Sequence, residues 1–161
     1  MKSVNPYLNF AGNTEEAFNF YRSVFGGEFL GVVRFRDFPE NTMDVPESDL
    51  DKIAHIALPL GNDHVLMGTD VLKSLSQKVT VGSNVYVVLE TDSEEEAETL
   101  FDTLASGGKV EMPLQKTEWA EKYGVLADQF GVQWMLSYTG NVQFSFGNGQ
   151  SGEAVDPAAS G

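Results

Sequence analysis

Cysteine is absent from the chain, which rules out disulfides, thiolate metal centres and a cysteine nucleophile. Histidine is scarce, at only two residues, His55 and His64. Cations are few as well: 10 Lys and Arg face 24 Asp and Glu, for a formal net charge of −14. That sign excludes a nucleic-acid backbone as partner, because such binders need a cationic face. No apolar run approaches the ~20 residues of a membrane span, and the first residues carry no signal-peptide pattern. A cytoplasmic location without membrane partners is therefore the expectation. Also missing are a glycine-rich phosphate loop, a motif for S-adenosylmethionine and a serine in a strained elbow. Those absences leave no basis for a nucleotide cradle, methyl transfer or a Ser-His-Asp hydrolase.

What remains is ordinary globular composition, with 42% hydrophobic residues, 11% aromatics and 16 glycines. The 161 residues suit one domain. Much of the negative charge sits in one run, Asp37, Glu40, Asp44, Glu47, Asp49 and Asp51, interrupted by Pro39 and Pro46. It reads as a solvated connecting loop. A calcium loop would need tighter ligand spacing and a turn glycine.

The strongest pattern is a repeat. Asn13 reads as a helix N-cap with Glu16 as its capping-box partner, followed by Ala17, Tyr21, Val24 and Phe25 at helical spacing and closed by Gly26-Gly27. Eighty positions later the same grammar returns: cap Ser93, partner Glu96, stripe Ala97, Leu100, Phe101 and Leu104, then Gly107-Gly108. An extended run precedes each helix, at 6–10 and 84–89, and three strand-like runs follow each. Those runs are 28–35, 53–60 and 64–70 in the first half, and 109–114, 123–127 and 132–138 in the second. The reading is an α+β fold of two βαβββ modules, duplicated within one domain at 1–140. Module one spans 4–72 and module two 83–139. Residues 141–161 form a largely disordered tail, with Val142, Phe144 and Phe146 alternating as a short edge strand.

One such module leaves a sheet face uncovered, so two modules are expected to curve their sheets around a shared cleft. Strand alternation puts Leu8 and Phe10 toward the helix and Tyr7 and Asn9 into that cleft. Trp134 is expected in the core under the second helix. Candidate ligand-binding residues are Tyr7, Asn9, Met67, Tyr86, Gln115, Trp119 and Met135. His55, inside an apolar strand, is the candidate general acid or base, since an imidazole can both accept and donate a proton.

The run from Asn9 to Glu28 resembles the first-helix signature of the vicinal-oxygen-chelate superfamily, the glyoxalase, bleomycin-resistance and dioxygenase group. Asp128-Gln129-Phe130-Gly131-Val132-Gln133-Trp134 is similar to its closing turn and strand. Pro6-Tyr7-Leu8-Asn9-Phe10, Leu66-Met67-Gly68-Thr69-Asp70 and the run from Met112 to Trp119 resemble the PhnB-like branch, which carries the label 3-demethylubiquinone-9 3-methyltransferase. The resemblance implies a homodimer and a divalent metal held at four strand positions, two per module. Those positions fall near Asn5 or Tyr7, at Met67, near Tyr86 and at Met135. Thioethers and phenols are poor ligands for hard or borderline metals. The expectation is therefore a small-molecule-binding protein with no metal ligands and no cofactor. The alternative is a metal-dependent lyase, isomerase or dioxygenase with a variant site around His55, and a third reading is an inactive scaffold.

Overall fold

Two copies of one element order are what the repeat predicts, and a computed structural model, which describes residues 1–143, 145–146 and 150–151, contains them. The first unit, Met1–Thr80, holds β1 (Tyr7–Phe10), α1 (Thr14–Phe25), β2 (Gly31–Arg34), β3 (Ile53–Leu60) and β4 (His64–Asp70). The second, Val81–Gly161, holds β5 (Val87–Glu90), α2 (Glu94–Ala105), β6 (Lys109–Gln115), β7 (Lys122–Ala127) and β8 (Gln133–Tyr138). Each unit forms a four-stranded mixed sheet, ordered β1-β4-β3-β2 and β5-β8-β7-β6. In both, the first strand runs parallel to the last and the other pairings are antiparallel.

Each helix buries its apolar stripe on one face of its own sheet. On α1, Ala17, Phe18 and Tyr21 are fully buried, and Phe10 meets Phe18 edge-on with centroids 6.4 Å apart. Burial of each such aromatic contributes about 1.5–3 kcal/mol. Under α2 the core is Ala97, Phe101, Leu104, Leu126, Trp134 and Leu136. Trp134 is in the core as its position predicts, and its indole N–H donates to Asp128 Oδ2 at 2.9 Å. Close approach of helix to sheet depends on two glycines. A Cβ at Gly68 would lie 2.6 Å from the Phe18 ring, and one at Gly124 would lie 2.6 Å from the Phe101 ring.

The helix starts differ from the sequence expectation in an informative way. Ser93 caps α2 as predicted, its Oγ accepting from the Glu96 amide at 3.0 Å. Glu96 then reaches the amide of Asp92, 3.0 Å away, one residue beyond the usual capping-box target. Asn13 makes no side-chain cap bond. Asp70, at the end of β4, takes that role: its Oδ1 accepts from the amides of Gly12 (3.1 Å) and Thr14 (3.0 Å) and from the Thr14 hydroxyl (2.6 Å). Its Oδ2 accepts from the Ile53 amide at 2.8 Å. A buried carboxylate with four donors outcompetes a neutral local cap.

Strand limits also shift. β5 begins at Val87, three residues later than predicted, and β2 covers only Gly31–Arg34 because Phe35–Asp37 turns into a short 3-10 helix. Ser145–Phe146 pairs antiparallel with Gln150–Ser151, so this strand adds to neither four-stranded sheet. Phe144 and most of the expected disordered tail lie outside the described residues. Among the described residues, no helix is long and apolar enough to cross a membrane.

Candidate functional site

The face of each sheet opposite its helix carries the candidate residues. In the first unit, burial alternates along β1 and β4. Phe10, Leu66, Gly68 and Asp70 are buried, whereas Tyr7, Asn9 and His64 are exposed and Met67 and Thr69 are partly exposed. The alternation predicted for Leu8, Phe10, Tyr7 and Asn9 is therefore present, with Leu8 and Phe10 the more buried pair. Tyr7 pairs with Met67 and Asn9 with Thr69 across the parallel ladder, and Met67 pairs with Ala57 on β3.

His55 reaches this face by plain alternation, two residues before Ala57, and β3 becomes irregular just before it. Arg34 pairs with Ile53 but Val33 pairs with His55, so Ala54 is an extra residue on β3. The bulge lets Ile53 enter the core, at 1% exposure, while His55 keeps the open side it shares with Ala57. There His55 Nδ1 shares a hydrogen bond of 3.0 Å with the Tyr7 hydroxyl, and the two rings lie 5.7 Å apart. Burial pushes the Tyr7 phenol above its ordinary range, and the neighbouring Thr69 side chain opposes that shift. Thr69 Oγ1 donates its one proton to the Ala54 carbonyl at 2.8 Å, which steadies the bulge. The result is a phenol–imidazole pair on a patch of methionine and threonine, with Asn9 at its edge.

The second unit repeats the frame with different chemistry. Val88 pairs with Met135, as Tyr7 pairs with Met67. Val125 pairs with Met135, as Ala57 pairs with Met67. Two residues before Ala57 and Val125 stand His55 and Tyr123, so Tyr123 occupies the histidine's place. Its hydroxyl donates to Met135 Sδ at 3.2 Å, and Trp119 stands edge-on to its ring at 5.3 Å. Gln115 pairs with Tyr123 on β6. Trp119 is held by a turn in which Thr117 Oγ1 accepts from the Trp119 and Ala120 amides at 3.3 and 3.1 Å.

Of the predicted residues, Tyr7, Asn9, Met67 and His55 thus share one face, and Gln115, Trp119 and Met135 gather around Tyr123. Tyr86 stands apart. It precedes β5, and its hydroxyl donates to Glu111 Oε2 at 2.7 Å. That carboxylate raises the Tyr86 pKa above the ordinary phenol range, with burial and the Tyr123 ring adding to the effect. The first-strand counterpart of Tyr7 is Val88, which sequence reading missed, as it missed Thr69 and Tyr123.

A divalent metal needs hard or borderline donors converging on one point. The register places Tyr7, Met67, Val88 and Met135 at the paired first- and last-strand positions: one phenol, two thioethers and an isopropyl group. This set does not fit such a metal. Among the described residues, no three His, Asp or Glu side chains are grouped so as to hold a metal ion.

Comparison with known proteins agrees with this architecture. Residues 3–136 match the family described as the Glyoxalase/Bleomycin resistance protein/Dioxygenase superfamily. Protein YjdN of Escherichia coli (strain K12) is 32% identical over 139 residues, covering 83% of this chain and 93% of that protein. Among solved structures, protein PA1353 from Pseudomonas aeruginosa is 38% identical with a TM-score of 0.73, covering 84% of this chain and 98% of that one. The PhnB protein from Bacillus cereus, which bears the name 3-demethylubiquinone-9 3-methyltransferase, is 29% identical with a TM-score of 0.67 over the same shares.

Proposed function

Because the chain belongs to the Glyoxalase/Bleomycin resistance protein/Dioxygenase superfamily, in its PhnB-like branch, we propose that it binds a small, partly hydrophobic molecule on its open sheet faces without the superfamily's four metal ligands. The observation that carries this reading is the donor set at the paired strand positions. Tyr7, Met67, Val88 and Met135 offer soft, polarisable and apolar contact instead of metal-binding oxygen and nitrogen. The Tyr7–His55 pair supplies directional polarity on the first face, and Trp119 with Tyr123 supplies aromatic surface on the second. A homodimer, as the family implies, belongs to the same proposal and is tested by sedimentation equilibrium.

The testing experiment has two arms. Protein purified without chelator is analysed for metals, and a metabolite panel is screened by thermal shift on wild type and on the variants Tyr7→Ala and Met135→Ala. We expect metal well below one equivalent per chain, and at least one compound whose stabilising shift falls in a variant. Stoichiometric divalent metal that is lost in His55→Ala, or a panel with no shift, defeats the proposal.

A second reading has its own support in the position of His55. A histidine hydrogen-bonded to a phenol on an open face is a proton-handling pair, able to accept or return a proton beside a bound substrate. This reading assigns lyase, isomerase or dioxygenase chemistry to a variant site around His55. It predicts a turnover lost in His55→Ala with ligand binding largely retained.

A further inference from the structure

The acidic loop between β2 and β3 does more than connect them. It lines an open pocket of about 410 Å³, within the ~300–1,000 Å³ range of small-molecule sites. Phe35, Phe38, Pro39, Met43 and Val45 form apolar walls, and Glu40 is the one ionisable residue among those that line it. Val45 is buried at 5% exposure, whereas Phe38 and Met43 remain about half exposed at 49% and 48%.

The walls are fixed by specific bonds. Asn41 clasps Val45 twice, its Oδ1 accepting from the Val45 amide at 2.8 Å and its Nδ2 donating to the Val45 carbonyl at 2.9 Å. Asp44 takes the left-handed conformation that closes this turn, with φ of 55°. The base of the loop is pinned by Arg36, which donates to Asp51 at 2.8 Å and to Glu47 at 3.3 Å.

The charges around the cavity are unbalanced. Residues 34–52 hold six carboxylates and three cations. Arg34 is paired with Glu15, Arg36 with Glu47 and Asp51, and Lys52 with Asp49. Asp37, Glu40 and Asp44 have no cationic partner among the described residues. A carboxylate at the rim of an aromatic and aliphatic pocket matches one ligand chemistry well, a cation with an apolar body. The ring faces attract the cation and the carboxylate neutralises it.

We propose that this loop cavity is a binding site, separate from the open sheet face, for a small organic monocation such as an aryl-alkylammonium. Phe35 and Phe38 hold the apolar body and Glu40 selects the charge. The site uses none of Tyr7, His55 or Met67, so it stands whether or not the sheet-face proposal does.

The test is an amide NMR titration of the full chain with 2-phenylethylammonium and, separately, 2-phenylethanol. The two probes share a phenyl body and differ in charge. We expect saturable shifts at residues 35–45, with the ammonium bound at least threefold more tightly than the alcohol. Glu40→Gln should bring the two affinities together, and Phe38→Ala should weaken both while Phe38→Leu weakens them less. The spectra themselves confirm that each variant is folded. The proposal is overturned by a preference below threefold, by a preference that survives Glu40→Gln, or by shifts confined to residues outside 35–45.

Discussion

Replacing Asp70 with Asn should destabilise the first unit far more than any change at the residue that the local sequence marks as the helix cap. The carboxylate accepts four hydrogen bonds, and an amide has only one oxygen to serve them. If that oxygen keeps the Gly12 and Thr14 donors, the new NH2 group faces the Ile53 amide, and a buried donor left unpaired costs about 1–3 kcal/mol. Charge-assisted bonds are roughly twice as strong as neutral ones, so weakening the remaining three adds about 1 kcal/mol. Loss of negative charge at a helix N-terminus adds about 0.5 kcal/mol. The sum is about 3 kcal/mol, a large part of the ~5–15 kcal/mol by which small domains are stable. Asn13→Ala should cost less than about 0.5 kcal/mol, since Asn13 makes no cap bond. Ser93→Ala should cost about 1 kcal/mol. Urea denaturation followed by far-UV circular dichroism gives the three values. Hydrogen exchange of peptides covering residues 14–25 and 94–105 assigns each loss to its helix. Tryptophan fluorescence alone is unsuitable, because Trp119 and Trp134 both lie in the second unit. An Asn13→Ala loss equal to that of Asp70→Asn would refute the assignment of the cap to Asp70.

Two further outcomes follow from contacts already given. Gly68→Ala and Gly124→Ala should each cost about 1–3 kcal/mol by thermal melt, since each new methyl meets a buried phenylalanine ring; a neutral effect at both would mean that the helices are not seated this closely. Tyr86 should titrate later than an ordinary phenol, and Glu111→Gln should bring it back down, as read from tyrosinate absorbance against a Tyr86→Phe control. Because its folded pKa is raised, the Tyr86 contribution to stability is complete below the unfolded value and is lost as pH rises through the folded one. An unchanged titration in Glu111→Gln would show that the carboxylate is not the cause.

Most of the fold is legible because its signals are local. The limits of β3 and β4 match the predicted runs because Gly61-Asn62-Asp63 forces the turn between them. The face of Tyr7 follows from alternation on a short regular strand. What escapes is decided by pairing across the sheet. Ala54 looks like any strand residue, and only the register against β2 reveals it as a bulge that turns Ile53 into the core. The offset of eighty found at the helices is not constant. It is 81 from Tyr7 to Val88 and 68 from Met67 to Met135, because the second copy lacks the long acidic loop. Carrying an offset of eighty through the repeat leads from Tyr7 to Val87, one short of Val88, and from His55 to Met135 instead of Tyr123. Asp70 escapes for the same reason, as its partners at Gly12 and Thr14 are more than fifty residues away.

The unlike caps of the two helices give the duplicated module two tempos of assembly. α2 carries its cap at Ser93, one residue ahead of its first turn, so it can nucleate from its own segment. α1 waits for a carboxylate at the far end of β4, which leaves the ribosome long after the helix itself. The first helix is therefore stabilised only as its sheet closes, and its unit should gain order in one late, cooperative step. The ancestral repeat kept its shape in both halves while the order of events diverged.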